Sequence, residues 1–167
     1  MASYDNQSLY NALTELHVID KGQLDQAFRQ SQEQHIPFED ILLERDLISD
    51  ENLGKTVSEI ISLPLVRLNE ISIPRDVLEM IPEVVAKKQK VIAFKKDKNG
   101  LSIAMGEPSN MQIKGFIEKK VGIPVIAFFA TKKDINNALF LYSKDVVSTF
   151  DNIIAESVKR ARTARVN

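Results

Sequence analysis

Gly54, Lys55 and Thr56 form the stretch of this sequence that comes nearest to a phosphate-binding motif. A P-loop holds phosphates on the backbone N–H groups of a glycine-rich turn, and its lysine and hydroxyl residue contact the phosphates and the metal ion. The motif needs a second glycine five positions before Gly54, where this chain has Ser49. It also needs a preceding strand, whereas residues 52–57 have the pattern of a helix interior. We therefore expect no nucleotide hydrolysis at this triplet.

Other residue types that carry out catalysis are scattered along the chain. His17 and His35 have no histidine or carboxylate at the spacing that binds zinc on one helix face. The acidic pairs at 39–40 and 50–51 suit solvated helix starts better than paired acid–base catalysis. The sequence has no cysteine, no dinucleotide-binding glycine pattern and no catalytic triad signature. We therefore expect a protein that is not an enzyme, with no catalytic residue, no metal site and no cofactor.

Composition and charge give a coarse class. The 167 residues suffice for one domain or two small ones, and 44% hydrophobic with 27% charged residues are ordinary globular values. A formal net charge of −1 gives no global attraction to nucleic acid or to an anionic membrane. The N-terminus has no signal-peptide pattern, and the longest apolar run, residues 121–130, falls short of the roughly 20 residues of a spanning helix. These features predict a soluble chain.

An internal repeat indicates the elements that would position any site. Residues 13–24 and 42–53 carry one pattern at an offset of 29 positions, which aligns Ile19 with Ile48. A fixed period of this length indicates one supersecondary unit used twice. Each copy has apolar residues at helical spacing, a tight turn with an apolar pair, a helix cap and a second helix. The copies are either two helical hairpins that share a core or a tandem ligand-binding motif.

The pattern changes after residue 65, and the order becomes strand, helices, strand, strand, helix, strand, helix. The strands at 91–96 and 101–105 form a hairpin, because Asn99-Gly100 is a strong turn signal. Ser109 or Asn110 is expected to cap the next helix. Residues 123–130 are nearly all apolar, which predicts a strand buried on both faces. The whole indicates a small sheet with helices on one face.

The predicted fold class is therefore α+β, in three segments. An N-terminal helical subdomain of two repeated helix-turn-helix units covers residues 1–65, a small α+β subdomain covers 66–143, and a C-terminal amphipathic helix covers 144–167. That helix carries an apolar stripe at helical period and a basic end. The basic residues either complement the helix dipole or belong to a docking helix. In the second case the expected partner contacts are Val147, Phe150, Ile154 and Val158.

Several local phrases, taken in this order, resemble a known family. They are the double hairpin at 9–60, the stretches 63–66, 81–88, 91–94, 101–110 and 132–135, and the segment 150–161. The series resembles the N-terminal region of the type II secretion and type IV pilus assembly ATPases. That family includes a domain type that binds cyclic di-GMP in some members.

The resemblance implies recognition rather than catalysis. It implies a regulatory or protein-docking domain that binds the inner-membrane platform or the motor ATPase, with residues 144–167 leading toward a missing or separate motor domain. It places the chain in the cytoplasm, peripheral at the inner membrane through a partner. Nucleic acid is not among the implied partners, and assembly with copies of itself is left open.

A cyclic di-GMP receptor is the alternative function. In binding members each repeat opens with Arg-Leu-Gly and has glycine at the turn, whereas this chain has residues 8–10 (Ser-Leu-Tyr), residues 37–39 (Pro-Phe-Glu), His17 and Asp46 at those places. Asp46 would also repel a dianionic ligand. If a cyclic dinucleotide binds, the resemblance assigns its contacts to Leu9, Leu13, His17, Ile19, Phe38, Leu42, Asp46 and Ile48. A third hypothesis is an unrelated α+β adaptor.

Overall fold

The computed structural model describes residues 4–143 and Val158. The helical part consists of α1 (Asn6–Leu16), α2 (Lys21–Gln34), α3 (Phe38–Glu44) and α4 (Asp50–Ile61). The sheet part consists of α5 (Arg75–Leu78), α6 (Glu83–Gln89), β1 (Val91–Asp97), β2 (Gly100–Met105), α7 (Gln112–Val121), β3 (Val125–Phe129) and α8 (Lys132–Leu139). This is the predicted α+β class. The predicted C-terminal helix over 144–167 lies outside the described residues, apart from Val158.

The helical part forms because each copy of the repeat is capped and buries one face. The Asp20 side chain accepts the N–H of Gln23 at the start of α2, and Ser49 accepts the N–H of Asn52 at the start of α4. Such caps satisfy backbone donors that have no partner within a helix. The four helices share one apolar core, whose fully buried members include Leu9, Leu13, Leu24, Phe38, Ile41 and Leu42. The two hairpins therefore share a core, as one of the two interpretations of the repeat predicts.

The sheet has the order β1-β2-β3, with β1 antiparallel to β2 and β2 parallel to β3. The hairpin turn lies where Asn99-Gly100 predicts it. Gly100 has φ 131°, and a Cβ at this position would lie 2.2 Å from the carbonyl oxygen of Pro124. Glycine is therefore required at this position, because the tip of the hairpin packs against the residue that leads into β3.

The distribution of burial in the sheet differs from the sequence prediction. All six residues of β2 are buried, and successive residues of a strand point to opposite faces, so the sheet is covered on both sides. In contrast β3, which the sequence pattern predicts to be buried on both faces, has Ile126 38% exposed. That prediction is wrong because β3 lies beside β2 at the end of the strand order rather than in the middle.

The start of α7 also differs from the prediction. Met111 occupies the N-cap position, and no side chain caps the helix. The Asn110 side chain, one of the two predicted caps, instead donates to Gln89 Oε1 at 2.6 Å. The predicted C-terminal signal is confirmed, since Gly122 takes the left-handed conformation with φ 73°.

The two parts meet along an extended connector that follows α4. Val66 N–H donates to the carbonyl oxygen of Phe129, and Phe129 N–H donates to that of Pro64, both at 2.9 Å. Gly54 lies in the interior of α4, where a Cβ would come within 2.9 Å of Thr131 and 3.1 Å of Leu65. Gly54, the glycine of the Gly-Lys-Thr triplet, thus allows α4 to approach the sheet part closely. A boundary at residue 65 between independently folding units stays a prediction.

Candidate functional site

The two repeat turns share an uncommon backbone conformation. His17 has φ 52° and Asp46 has φ 53°, and the two residues are 29 positions apart, as the repeat requires. A left-handed conformation costs a residue with a Cβ about 1–2 kcal/mol relative to the right-handed one. These are the positions at which the cyclic di-GMP-binding members of the resembled family carry glycine. Glycine adopts this conformation without that cost, whereas this chain has His17 and Asp46 at the two turns.

The structure brings the two turns together in one groove of about 540 Å³. We call it the turn groove, and it is lined by Leu16, Val18, Asp46, Leu47, Ile48, Ser49, Asn52, Lys55, Thr56 and Glu59. Of the predicted ligand contacts, Asp46 and Ile48 line the groove. His17 and Ile19 are not among the lining residues, although their sequence neighbours Leu16 and Val18 are.

The remaining predicted contacts lie beneath the surface. Leu9, Leu13, Phe38 and Leu42 are at most 1% exposed and belong to the core of the helical part. A ligand can reach these side chains only by separating the helices. Their role in ligand contact stays a prediction, and their observed role is to pack the two hairpins together.

The lining of the turn groove combines exposed apolar side chains with carboxylates. Leu16 and Val18 are 49% and 63% exposed, which is high for aliphatic side chains. The groove's lysine, Lys55, forms an ion pair with Glu51 at 2.8 Å. Asp46 and Glu59 have no salt bridge within the described part of the chain. Such a groove repels phosphate groups and suits a cationic partner with an apolar side chain.

A second concave site lies between the two parts, and sequence reasoning missed it. This crevice, of about 230 Å³, is bounded by Tyr4 and Glu39 on the helical side and by residues 106–109 and 131–133 on the sheet side. Glu39 accepts a hydrogen bond from the Tyr4 hydroxyl at 2.5 Å and forms an ion pair with Lys132. The segments on the sheet side follow β2 and β3 directly, so the crevice lies at the carboxyl ends of the two parallel strands.

The crevice perturbs the ionisation of its own residues. Burial, reinforced by the charge of Glu39, raises the pKa of the Tyr4 hydroxyl above its ordinary value. Burial alone would lower the pKa of Lys132, but its hydrogen bond and charge interaction with Glu39 outweigh this and raise the pKa. Both shifts favour the protonated forms, which donate to Glu39. The cluster links Tyr4, Glu39 of α3 and Lys132 of α8 across the crevice.

The buried carboxylate of Asp134 binds the backbone of the connector where the connector continues beyond β3. Asp134 Oδ2 accepts the N–H of Leu68 at 2.6 Å, and Oδ1 accepts that of Asn69 at 3.2 Å. Burial raises the pKa of Asp134, against the opposing effect of these two hydrogen bonds. At the start of the same helix, the Thr131 hydroxyl donates to Asp50 Oδ2 of α4 at 2.7 Å. The sequence contains one indication of the crevice. The order strand, helix, strand predicts that β2 and β3 are parallel, and the residues that follow two parallel strands lie at the same edge of the sheet.

Two further predictions concern residues with little or no description. Val147, Phe150 and Ile154 lie outside the described residues, and Val158 is helical and exposed. Their contact with a partner stays a prediction. Within the described part of the chain, no group of three or more metal-ligating side chains is arranged to hold an ion. Over residues 4–143 and at Val158, no helix has both the length and the apolar character needed to cross a bilayer.

Comparison with known proteins adds a family to this geometry. The family model described as the MshEN domain matches residues 61–146, just over half of the chain. A comparison with curated proteins gives no match. The structure of MshE with cdg superposes with a TM-score of 0.64 at 21% identity, over 80% of this chain and 97% of that chain. The N-terminal domain of XpsE superposes with a TM-score of 0.57 at 16% identity, over 83% of this chain and 96% of that chain. At these identities the two structures show a shared fold.

Proposed function

The chain belongs to the MshEN domain family, the N-terminal domain type of type II secretion and type IV pilus ATPases, and on that premise we propose that it is a regulatory docking domain. In this proposal it binds another protein of a secretion or pilus machine, either the motor ATPase or the membrane platform. It has no catalytic role of its own. The matched proteins support this, because they match as N-terminal domains and not as motor domains.

The character of the turn groove carries the proposal. Exposed Leu16 and Val18 stand beside Asp46 and Glu59, whose charges are uncompensated in the described residues. An apolar surface flanked by charge is a common form of protein interface. A protein segment that carries apolar and basic side chains would gain from both features, since charge complementarity steers association and apolar contact retains it.

The alternative, a cyclic di-GMP receptor, has one observation in its favour. MshE, whose structure contains cdg, shares the fold of this chain. The electrostatics oppose it, because Asp46 and Glu59 line the groove in which the two turns meet and Lys55 is already paired. A dianionic ligand would have to displace an ion pair and approach two carboxylates. We therefore place protein docking first.

A binding experiment with matched variants tests the docking function. The 167-residue chain is immobilised, and the purified motor ATPase and the cytoplasmic part of the platform protein are passed over it. Val18→Asp is expected to weaken the binding of one of them by at least about tenfold, or 1.4 kcal/mol, because it places a charge where an apolar contact forms. Val84→Asp is the control, since Val84 is 77% exposed on α6, outside the groove.

Three outcomes decide between the hypotheses. Binding that Val18→Asp weakens and Val84→Asp leaves unchanged supports docking at the turn groove. Absence of binding to both proteins contradicts the docking function. Calorimetric titration with cyclic di-GMP is the parallel measurement: a saturable heat that Asp46→Arg strengthens would favour the receptor alternative instead.

A further inference from the structure

The charges of this chain are separated between its two parts. Residues 1–65 contain twelve acidic and four basic residues, whereas residues 66–143 contain eight acidic and thirteen basic residues. The formal charges are therefore −8 and +5, and the net charge of −1 conceals them. An asymmetry of this size creates a strong field along the molecule and favours association with an oppositely charged surface.

Part of the positive charge of the sheet part lies on α7. We call this surface the lysine face and define it by Phe116, Lys119 and Lys120 of α7. The segment that follows α7 reaches the hairpin tip at Pro124, whose carbonyl oxygen accepts the Leu101 N–H at 2.9 Å. Phe116 is 55% exposed. Lys119 and Lys120 follow it by three and four residues, so they lie on the same side of the helix.

Acidic side chains near the lysine face do not cancel its charge. Asp97 is paired with Lys95 at 3.3 Å. Glu118 is two residues from Phe116, which places it about 200° away around the helix. Lys119 and Lys120 have no salt bridge within residues 4–143. The face thus presents an exposed aromatic ring among unpaired cations.

The turn groove has the complementary features. Its lining includes the exposed Leu16 and Val18, together with Asp46 and Glu59, which have no salt bridge in the described residues. An aromatic side chain gains free energy by leaving water for such a groove, and lysines beside it meet carboxylates rather than cations. Phe116 with its neighbouring lysines is the kind of group that the groove accepts.

The two surfaces point away from each other within one chain. Asn52, Lys55 and Glu59 lie on the side of α4 opposite to Gly54, which packs against the sheet part. The helical part contacts the carboxyl end of β3 at Phe129, whereas the lysine face lies at the opposite end, beyond Val125. Five residues of strand separate these ends by about 16 Å. A chain therefore cannot fill its own groove.

We propose that the lysine face of one copy docks in the turn groove of a second copy, head to tail. Phe116 contacts Leu16 and Val18, and Lys119 and Lys120 pair with Asp46 and Glu59. The inference rests on the proposed function in one respect, the assignment of the turn groove to protein binding, and it names a second copy as the partner. Because its charged side chains are exposed to solvent, the contact is expected to weaken as salt concentration rises.

The head-to-tail arrangement allows a complementation experiment. Phe116→Asp disables the lysine face and leaves the groove intact, whereas Val18→Asp disables the groove and leaves the lysine face intact. Both side chains are more than half exposed, so the fold tolerates the changes. Sedimentation velocity of the 167-residue chain at low salt is expected to show association that increases with concentration. Each variant alone is expected to associate at least about tenfold more weakly.

An equal mixture of the two variants is the decisive sample. One intact groove and one intact lysine face remain between the two chains, so the mixture is expected to form dimers and nothing larger. Val84→Asp is expected to associate like the unmodified chain, and Lys119→Gln with Lys120→Gln is expected to reduce the salt dependence.

Several results would overturn the self-contact. They are a monomeric unmodified chain at the highest attainable concentration, a mixture that stays monomeric, or equal loss in the Val84→Asp control. If self-association fails but the motor or platform protein still binds in a way that depends on Val18, only the proposal of a second copy as the partner is rejected. Loss of both would remove the docking function as well.

Discussion

The Asp134 carboxylate accepts the backbone N–H of Leu68 at 2.6 Å, across 66 positions of sequence. The first turn of α8 thereby holds the connector where it leaves the edge of β3. Thr131 caps the same helix by accepting the N–H of Asp134. Hydrogen bonds thus join the connector to the end of β3 and to the start of α8, where the two parts of the protein meet.

Removal of this acceptor is expected to destabilise the protein. Asp134→Ala leaves the buried N–H of Leu68 without its partner and removes the acceptor of the more exposed Asn69 N–H, and a buried unsatisfied group costs about 1–3 kcal/mol. We expect the free energy of unfolding in urea to fall by about 2 kcal/mol or more. Asp134→Asn, which keeps one acceptor oxygen, is expected to lose less. Equal losses in the two variants would show that these hydrogen bonds contribute little.

The same residue gives a prediction about pH. The folded-state pKa of Asp134 lies above its unfolded value, mainly because of burial. The folded protein therefore binds this proton more tightly, and stability from this group falls as pH rises from about 3.9 through the folded pKa. Unfolding of the unmodified chain and of Asp134→Asn is measured across that range. The stability difference, unmodified minus variant, is expected to decrease with rising pH, and an increase would contradict the sign of the shift.

Gly54 and Gly115 offer a matched pair for helix–sheet packing. Alanine at Gly54 places a Cβ 2.9 Å from Thr131 Cγ2, whereas alanine at Gly115 in α7 has no atom within 4 Å. Alanine favours a helix over glycine by about 1 kcal/mol. We expect Gly115→Ala to raise the melting temperature and Gly54→Ala to lower it, since overpacking costs about 1–3 kcal/mol. If both variants raise the melting temperature, the neighbours of Gly54 can move aside for the added methyl group at little cost.

At the two left-handed turn residues, His17 and Asp46, we expect glycine to preserve or increase stability. His17→Gly and Asp46→Gly remove a backbone cost of about 1–2 kcal/mol but increase the freedom of the unfolded chain. The free energy of unfolding is expected to stay constant or rise by up to about 1 kcal/mol. Asp46→Val, a β-branched residue at φ 53°, is expected to lower it by more than 1 kcal/mol. Chemical denaturation of the three variants provides the comparison.

The helical part was predictable because its signals are local. The repeat offset of 29 aligns the caps and the buried stripes, and it also aligns the left-handed residues His17 and Asp46. The hairpin at Asn99-Gly100 and the helix end at Gly122 depend on short-range geometry of the same kind. For these elements, residue type and spacing determine the backbone within a few positions.

The crevice and the exposure of β3 were not predictable in this way, because they depend on which elements are neighbours. Tyr4, Glu39 and Lys132 meet only after both parts have folded. An apolar run such as 123–130 does not reveal whether its strand lies inside the sheet or at its end. The charge separation was present in the composition, but a single net charge hides opposite values in the two parts.

Phe129 is a residue of β3, yet its side chain belongs to the hydrophobic core of the four helices. One aromatic side chain therefore couples the melting of two structures that the sequence would divide at residue 65. Heating is expected to unfold them in a single cooperative step, and a fragment ending at the connector would lack the ring that closes its own interior. We therefore expect the two parts to unfold as one thermodynamic unit, because a residue of the sheet completes the core of the helices.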